Sequence, residues 1–486
     1  MAQTMVRFDT EDPGFDRSKY IRQLRAVVRW KRFKGRGSLE LATGFGKSIT
    51  ACIALQKLKK NKPKFRSLVT VPTTQLKKQW ESLLEWQGLS DNVKVFVVNT
   101  IALRNSIYRN IDLLIVDEAH LTPGDQFFTI FRKIEYKFLM PLTGTMFRLD
   151  GRDAWITNLA PVCDKVTVKE AVDNGWLSPH YQINLSVALR REESQRLVNI
   201  GKQIRFYMSG NKFGITGNAF STMLSCMDKR NAYNFAQRYN HDHKEVIKWA
   251  VNCKRLIDER LEVMNNCEQK VEAAAKLINE LGVRTITFSQ SIAFVESLGK
   301  KLSKPFSEYH SKIPSKDLPE FKRKSYKTRR AAEKFAFSKN ASVDVETLPS
   351  GETRYIVCWS KLTRFSGSRI NDMNLKQYSG GKVKTLLSAK ALNQGFDDES
   401  TQLGIRASGT ESYATYEQQL GRAIRNFKVD GKQVPKLFIN LYIPDWCVSG
   451  SIDHSKLVTA QCNQADVMFM DDIDEVISLV KRIVNR

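Results

Sequence analysis

Long apolar runs are missing from this chain. No stretch reaches the roughly 18 consecutive apolar residues that a membrane-crossing helix requires. The opening residues, Met1 to Thr10, carry no apolar signal core. A membrane or secreted protein is therefore not expected, and a cytoplasmic one is. Cysteine is sparse: eight residues are scattered through 486, with no Cys-x-x-Cys pair. That pattern excludes a zinc ribbon or a disulfide framework and fits a reducing compartment. There is no internal repeat and no true low-complexity tract. Acid is also short. Only 51 Asp and Glu stand against 77 Lys and Arg, giving a net charge of +26 and a pI near 9.7. A charge of that size suits a polyanionic partner, nucleic acid first, with a merely basic surface as the plainer alternative.

What is present is an ordinary globular composition, 42% hydrophobic, in a chain too long for one core. Two or three domains are expected. In the first third, strand-like runs (Ser38–Leu41, Ser67–Val71, Val93–Val98, Leu113–Val116, Leu139–Leu142) alternate with helical stretches at Ile49–Lys60 and Gln75–Trp86. Such alternation predicts an α/β fold with a parallel sheet, whose ligands sit at the carboxyl ends of the strands. Residues 187 to about 282 carry apolar residues at helical spacing and few strand signals. Alternation resumes at Arg284, with candidate strands Thr285–Phe288, Val383–Ser388, Leu403–Ala407 and Leu437–Tyr442. It is broken by a basic segment, about 311–369, that includes Lys322-Arg323-Lys324 and a hairpin pattern around Pro349-Ser350-Gly351.

Two motifs carry chemistry. Leu41-Ala42-Thr43-Gly44-Phe45-Gly46-Lys47-Ser48 follows an apolar run and opens a helical one. In such a turn, backbone N–H groups from Thr43, Gly44 and Gly46 cradle phosphates, Lys47 reaches the terminal phosphates and the Ser48 hydroxyl ligates magnesium. Leu41 stands where the general pattern has its first glycine. Asp117-Glu118-Ala119-His120 follows Leu113–Val116. There Asp117 would hold the magnesium and Glu118 would orient the attacking water. Alone, the first is often just a loop and the second a solvated acidic pair. Together, each after a strand, they predict a nucleotide triphosphatase that uses ATP and Mg2+.

The chain as a whole resembles a superfamily 2 helicase with a DEAH-type second motif, within the group of compact phage UvsW-like and restriction-motor-like DNA helicases. The resemblance covers about residues 20–185 and 280–445 and implies two RecA-like motor domains. It implies adenine recognition by Gln23 and backbone contact by Pro72 and Thr73 of Val71-Pro72-Thr73-Thr74-Gln75-Leu76, and by Thr100. Leu142-Thr143-Gly144-Thr145 resembles the motif that couples hydrolysis to strand movement. Thr287-Phe288-Ser289-Gln290 and Ser388-Ala389-Lys390-Ala391-Leu392-Asn393-Gln394-Gly395-Phe396-Asp397 resemble second-domain motifs. In these, Ser289 and Ser388 would contact nucleic acid and Gly395 and Asp397 would close on the nucleotide. Gln418-Gln419-Leu420-Gly421-Arg422-Ala423-Ile424-Arg425 matches Gln-x-x-Gly-Arg-x-x-Arg, which makes Arg422 and Arg425 catalytic fingers.

The expected organisation is a first motor domain over 1–186, a helical segment over 187–282, and a second motor domain over 283–486 with a basic insertion at about 311–369. In the insertion, Lys322, Arg323, Lys324, Tyr355 and Trp359 are candidate nucleic-acid contacts. The expected activity is ATP-dependent unwinding or remodelling of single-stranded, forked or branched DNA, including branch migration, by a monomer in the cytoplasm (the bacterial host's, for a phage protein). An RNA helicase, a restriction-system motor subunit and a nucleic-acid-binding protein with a decayed motor remain alternatives.

Overall fold

A computed structural model describes residues 15–104, 106–124, 126–148, 151–208, 213, 219–347, 352–389, 398–408, 413–444 and 467–484. Six strands form the first sheet: β1 Ser38–Leu41, β2 Ser67–Val71, β3 Val93–Val97, β4 Tyr108–Asp117, β5 Ile134–Thr143 and β6 Val162–Val166. Their order is β3-β2-β4-β5-β1-β6 and every pairing is parallel. β1 and β2 are buried along their whole length, as strands covered by helices on both faces must be. Helices Arg17–Arg32, Lys47–Asn61 and Thr74–Trp86 supply that cover through Ala26, Val27, Ile53, Leu55, Trp80 and Leu84.

The later strands are β7 His180–Ser186, β8 Thr285–Ser289, β9 Phe306–Tyr309, β10 Lys316–Tyr326, β11 Val343–Thr347, β12 Thr353–Phe365, β13 Thr385–Ala389, β14 Leu403–Arg406, β15 Lys428–Val429, β16 Lys432–Gln433, β17 Lys436–Tyr442 and β18 Val467–Met470. Seven of them build a second parallel sheet in the order β18-β7-β17-β14-β8-β13-β9. The fold is thus α/β with two parallel-sheet domains.

The expected boundary at residue 186 falls earlier. His180–Ser186 pairs with β17 along its whole length and also with β18, so it belongs to the second sheet. Its polar residues hid it. Gln182 and Asn184 are buried in a strand whose neighbours satisfy them: the Tyr416 hydroxyl donates to Gln182 Oε1, and Asn440 Nδ2 donates to Asn184 Oδ1 at 2.9 Å. The helical segment is likewise shorter than expected. Helices Arg191–Met208, Ala219–Ser225, Lys229–Tyr239 and His243–Asn266 form two small cores of their own, one around Leu197, Ile200 and Leu256 and one around Phe213, Met223 and Trp249. Helix Glu268–Leu281 instead packs Val271, Ala274 and Ile278 against the second sheet.

Between β9 and β13, the insertion folds as a three-stranded antiparallel sheet, order β10-β12-β11. Helix Arg329–Lys339 covers one face of it. β11 and β12 form the expected hairpin; its turn lies outside the described residues. Among the described residues no helix is long and apolar enough to cross a membrane.

Candidate nucleotide site between the two sheets

The phosphate loop connects β1 to helix Lys47–Asn61, and Gly46 caps that helix at φ +98°. That left-handed conformation favours glycine, and a Cβ there would lie 2.7 Å from Gln23 Nε2. Gln23 Nε2 itself donates to the Phe45 carbonyl at 3.0 Å, so the predicted adenine-reading residue abuts the loop. An ion-paired clamp fixes its helix: Arg22 bonds Asp164 at 2.5 Å and Glu170 at 2.9 Å, and Arg29 also bonds Asp164.

β4 ends at Asp117, which is buried and accepts a 2.7 Å bond from Trp80 Nε1. Burial, together with the neighbouring Glu118 charge, pushes the Asp117 carboxyl up to about 6. Glu118 sits at φ +50°, a conformation that costs a non-glycine residue energy and that clusters at working sites. Burial opposes its charge, but Lys47, whose Nζ lies 3.5 Å from Glu118 Oε1, holds the carboxyl below its usual range.

Burial also lowers the His120 pKa to about 4, so the ring is neutral near pH 7. Its hydrogen bonds define the tautomer. Thr143 Oγ1 donates to the Thr145 carbonyl, so His120 Nδ1–H must donate to Thr143 Oγ1, 2.9 Å away. Nε2 is then an acceptor for Gln418 Nε2 at 3.4 Å.

Gln418 belongs to the other sheet's domain. Helix Tyr413–Ala423 carries it together with Arg422, and Arg425 follows two residues beyond the helix. All three line one cleft with Thr43, Gly44, Gly46, Lys47, Ser48, Asp117 and Glu118. The approach is close. A Cβ on Gly421 would lie 2.4 Å from Thr43 Cβ, and one on Gly44 would lie 3.3 Å from Arg425 Cδ.

These residues fit a magnesium nucleotide. A helix N-terminus and Lys47 suit phosphates, and Ser48 and Asp117 offer the hard oxygen donors that magnesium takes. Thr43 Oγ1 and Glu118 Oε2 are buried without a hydrogen-bond partner among the described residues. Gly395 and Asp397 lie outside the described residues.

Leu76, Gln79 and Trp80 also reach the site and were not singled out from sequence. Leu76 and Trp80 fall four apart on one helix, and that spacing reads only as core.

The expected nucleic-acid contacts scatter. Pro72 and Thr73 follow β2, and the Thr73 hydroxyl caps helix Thr74–Trp86 by accepting from Leu76 N at 3.3 Å. Thr100 is half-buried in helix Val98–Leu103. Ser289 and Ser388 are buried at the ends of β8 and β13, where Ser289 Oγ lies 3.3 Å from Ser408 Oγ. In the insertion, Lys322 is 3.6 Å from Glu320 and Arg323 2.6 Å from Glu346, while Lys324 lies over Phe335. Tyr355 and Trp359, the aromatic candidates of the insertion, pack beneath helix Arg329–Lys339, with Trp359 edge-on to Phe335 at 5.0 Å.

Residues 17–101 match the family described as the res subunit of type III restriction enzymes. Over 204 residues the chain is 26% identical to putative helicase 22 of Sulfolobus islandicus filamentous virus. Over these segments the chain is similar to a restriction-enzyme res subunit and to a putative viral helicase. The alignment to the viral relative covers 36% of each protein, about a third of that relative's length. In fold, the chain matches Saccharomyces cerevisiae Dbp5 bound to RNA and ADP BeF3, with a TM-score of 0.51 and 12% identity over 95% of this chain and 93% of that one. It also matches the DNA-bound restriction-modification enzyme LlaBIII, with a TM-score of 0.50 and 14% identity over 98% of this chain and 34% of that one.

Proposed function

We propose that this chain hydrolyses ATP in the cleft between its two sheets and uses the cycle to move along DNA, as a helicase or translocase on forked or branched substrates. One observation carries the reading: Lys47, Ser48, Asp117 and Glu118 of one domain line a single cleft with Gln418, Arg422 and Arg425 of the other.

Lys47 would neutralise the terminal phosphates, and Ser48 and Asp117 would hold a magnesium ion, which would supply charge neutralisation to the phosphates. Glu118 orients the attacking water and accepts its proton. Arg422 and Arg425 stabilise charge on the phosphoryl group in flight, and only while the cleft is closed. Hydrolysis therefore alternates closed and open arrangements, and a strand bound across both domains is gripped in turn. The net charge of +26 supports phosphate contact without base readout, as a motor working on any sequence requires. The similarity to a putative viral helicase supports the helicase reading.

RNA is the second substrate to test, because the matching Dbp5 structure is an RNA complex. The experiment measures ATPase stimulation by single-stranded DNA, duplex DNA, forked DNA and RNA side by side, with Lys47→Ala as the inactive control. Strongest stimulation by forked DNA is expected. Stimulation by RNA alone moves the assignment to RNA, and near-normal turnover by Lys47→Ala removes the phosphate-loop assignment.

A further inference from the structure

Among the described residues, one face of the insertion's sheet is open around Phe321 and Leu362, although Ile356 farther along that face is buried, and the open part is not built like a solvated surface. Strand pairing sets which side chains share it. Lys324, Val357 and Val343 are register partners on the side that helix Arg329–Lys339 covers with Ala332 and Ala336. Side chains alternate along a strand, so Phe321, Arg323, Leu362 and Arg364 point the other way. Phe321 pairs with Ser360 and Pro319 with Leu362, which makes Phe321 and Leu362 diagonal neighbours on the open face. They are 83% and 71% exposed. Single exposed apolar residues need no explanation, but an adjacent pair on one face of a charged unit does.

The unit is also strongly basic. Residues 311–369 hold 14 Lys and Arg against 6 Asp and Glu. Arg323 and Arg364 flank the apolar pair and are held by Glu346 and Asp317 at 2.6 and 3.1 Å, with all four side chains largely in water. Exposed pairs of this kind contribute little, so a phosphate displaces the carboxylates at small cost.

The insertion is pinned to the second domain. His310 N donates to Asn371 Oδ1 at 3.2 Å, and Asn371 Nδ2 donates to the His310 carbonyl at 2.9 Å. A Cβ on Gly367 would sit 2.0 Å from the Ile313 carbonyl, so the two legs of the insertion are in contact. The stem springs from Tyr309 at the end of β9, which pairs with Ser388 of β13 in the second sheet.

We propose that the open face of β10 and β12 is a stacking platform for the unpaired bases of a single nucleic-acid strand. Phe321 is the ring on which a base lies, Leu362 its apolar neighbour, and Arg323 and Arg364 the flanking phosphate contacts. An aromatic platform within a basic surface binds single strands irrespective of sequence. This inference rests on the nucleic-acid motor reading and names where the second domain holds the strand.

The test uses the full chain with two fluorescent oligonucleotides of equal length, one oligo-dT and one abasic. Wild type should bind oligo-dT more tightly. Phe321→Ala should bind oligo-dT roughly tenfold more weakly, the loss that removing one stacked ring produces. It should bind the abasic strand as wild type does, and Phe321→Tyr should restore the difference. Because Phe321 is exposed, its melting midpoint should be unchanged. Phe337→Ala, which removes a 91% exposed ring on the helix side, is the spatial control. If Phe337→Ala removes the preference and Phe321→Ala does not, the strand lies over the helix and the inference is overturned. Unchanged strand binding together with loss of self-association in Phe321→Ala makes the face a protein contact, which also overturns it. Wild type whose ATPase no nucleic acid stimulates refutes the motor reading itself, a separate outcome.

Discussion

Substituting Gly421 with alanine tests whether cleft closure is needed for turnover. The added Cβ would lie 2.4 Å from both Thr43 Cβ and Cγ2, whereas ordinary contact begins at 3.4 Å. The phosphate loop and helix Tyr413–Ala423 must therefore separate by about 1 Å or more. Forcing one extra methyl into a packed contact costs about 1–3 kcal/mol, which lowers the closed population by roughly 5- to 150-fold. Separating two domains relieves the clash without disturbing either sheet, so the melting midpoint should stay near wild type. Arg422 and Arg425 line the same gap, so if they act as proposed kcat should fall by about one to two orders of magnitude. ATP affinity should change far less, because Lys47, Ser48 and the helix N-terminus all belong to one domain. Steady-state ATPase with saturating DNA gives kcat, and a fluorescent nucleotide gives the binding constant. A variant with kcat within twofold of wild type would refute the idea that this contact forms in the working cycle.

Glu118→Gln should bind ATP normally and hydrolyse it at least about a hundredfold more slowly, since the amide keeps the shape and cannot accept a proton; unchanged single-turnover hydrolysis would move water activation to another residue. Arg425→Ala should lower kcat by about a thousandfold with little change in nucleotide binding, the signature of a group acting in the transition state, and Arg422→Ala should do likewise. Equal losses of binding and turnover would make these arginines docking residues. Trp80→Phe leaves the buried Asp117 oxygen without its 2.7 Å donor, at a cost of about 1–3 kcal/mol. The magnesium concentration giving half-maximal ATPase should rise several-fold, and an unchanged magnesium titration would show that Trp80 is only core.

The central strands of both sheets were legible because they are apolar on both faces: β1 and β2 begin and end as the runs predict. β6 and β7 were hidden by residues that become acceptable only through distant partners. Asp164 in β6 is buried because Arg22 and Arg29 reach it from the first helix, and Gln182 and Asn184 in β7 are buried because Tyr416 and Asn440 do. Such pairs, separated by more than 130 residues, leave no local pattern. For the site, the loop and the acidic pair were legible as motifs; that they share a cleft with Arg422 and Arg425 depends on the packing of the two domains. In the insertion, composition gave the charge and the aromatics but not their faces. Strand register turns Trp359 inward and Phe321 outward.

The same packing explains why the fourth residue of Asp117-Glu118-Ala119-His120 is a histidine with a lowered pKa. The ring must do two opposite things at once. Nδ1 donates to Thr143 on the neighbouring strand, and Nε2 accepts from Gln418 of the other domain. Only a neutral imidazole has both a donor and an acceptor. A protonated ring would turn Nε2 into a donor facing the Gln418 Nε2, so the amide would have to flip and present Oε1 to keep the contact. It would also add a cation to a site that already holds Lys47 and Arg148. Burial pushes the pKa down to about 4 and so keeps the ring neutral near pH 7. Separating the cleft removes Gln418 from Nε2 and leaves the Thr143 bond intact. The Gln418 contact of this ring forms only while the second domain is docked, two residues from Glu118, the carboxylate proposed to activate water.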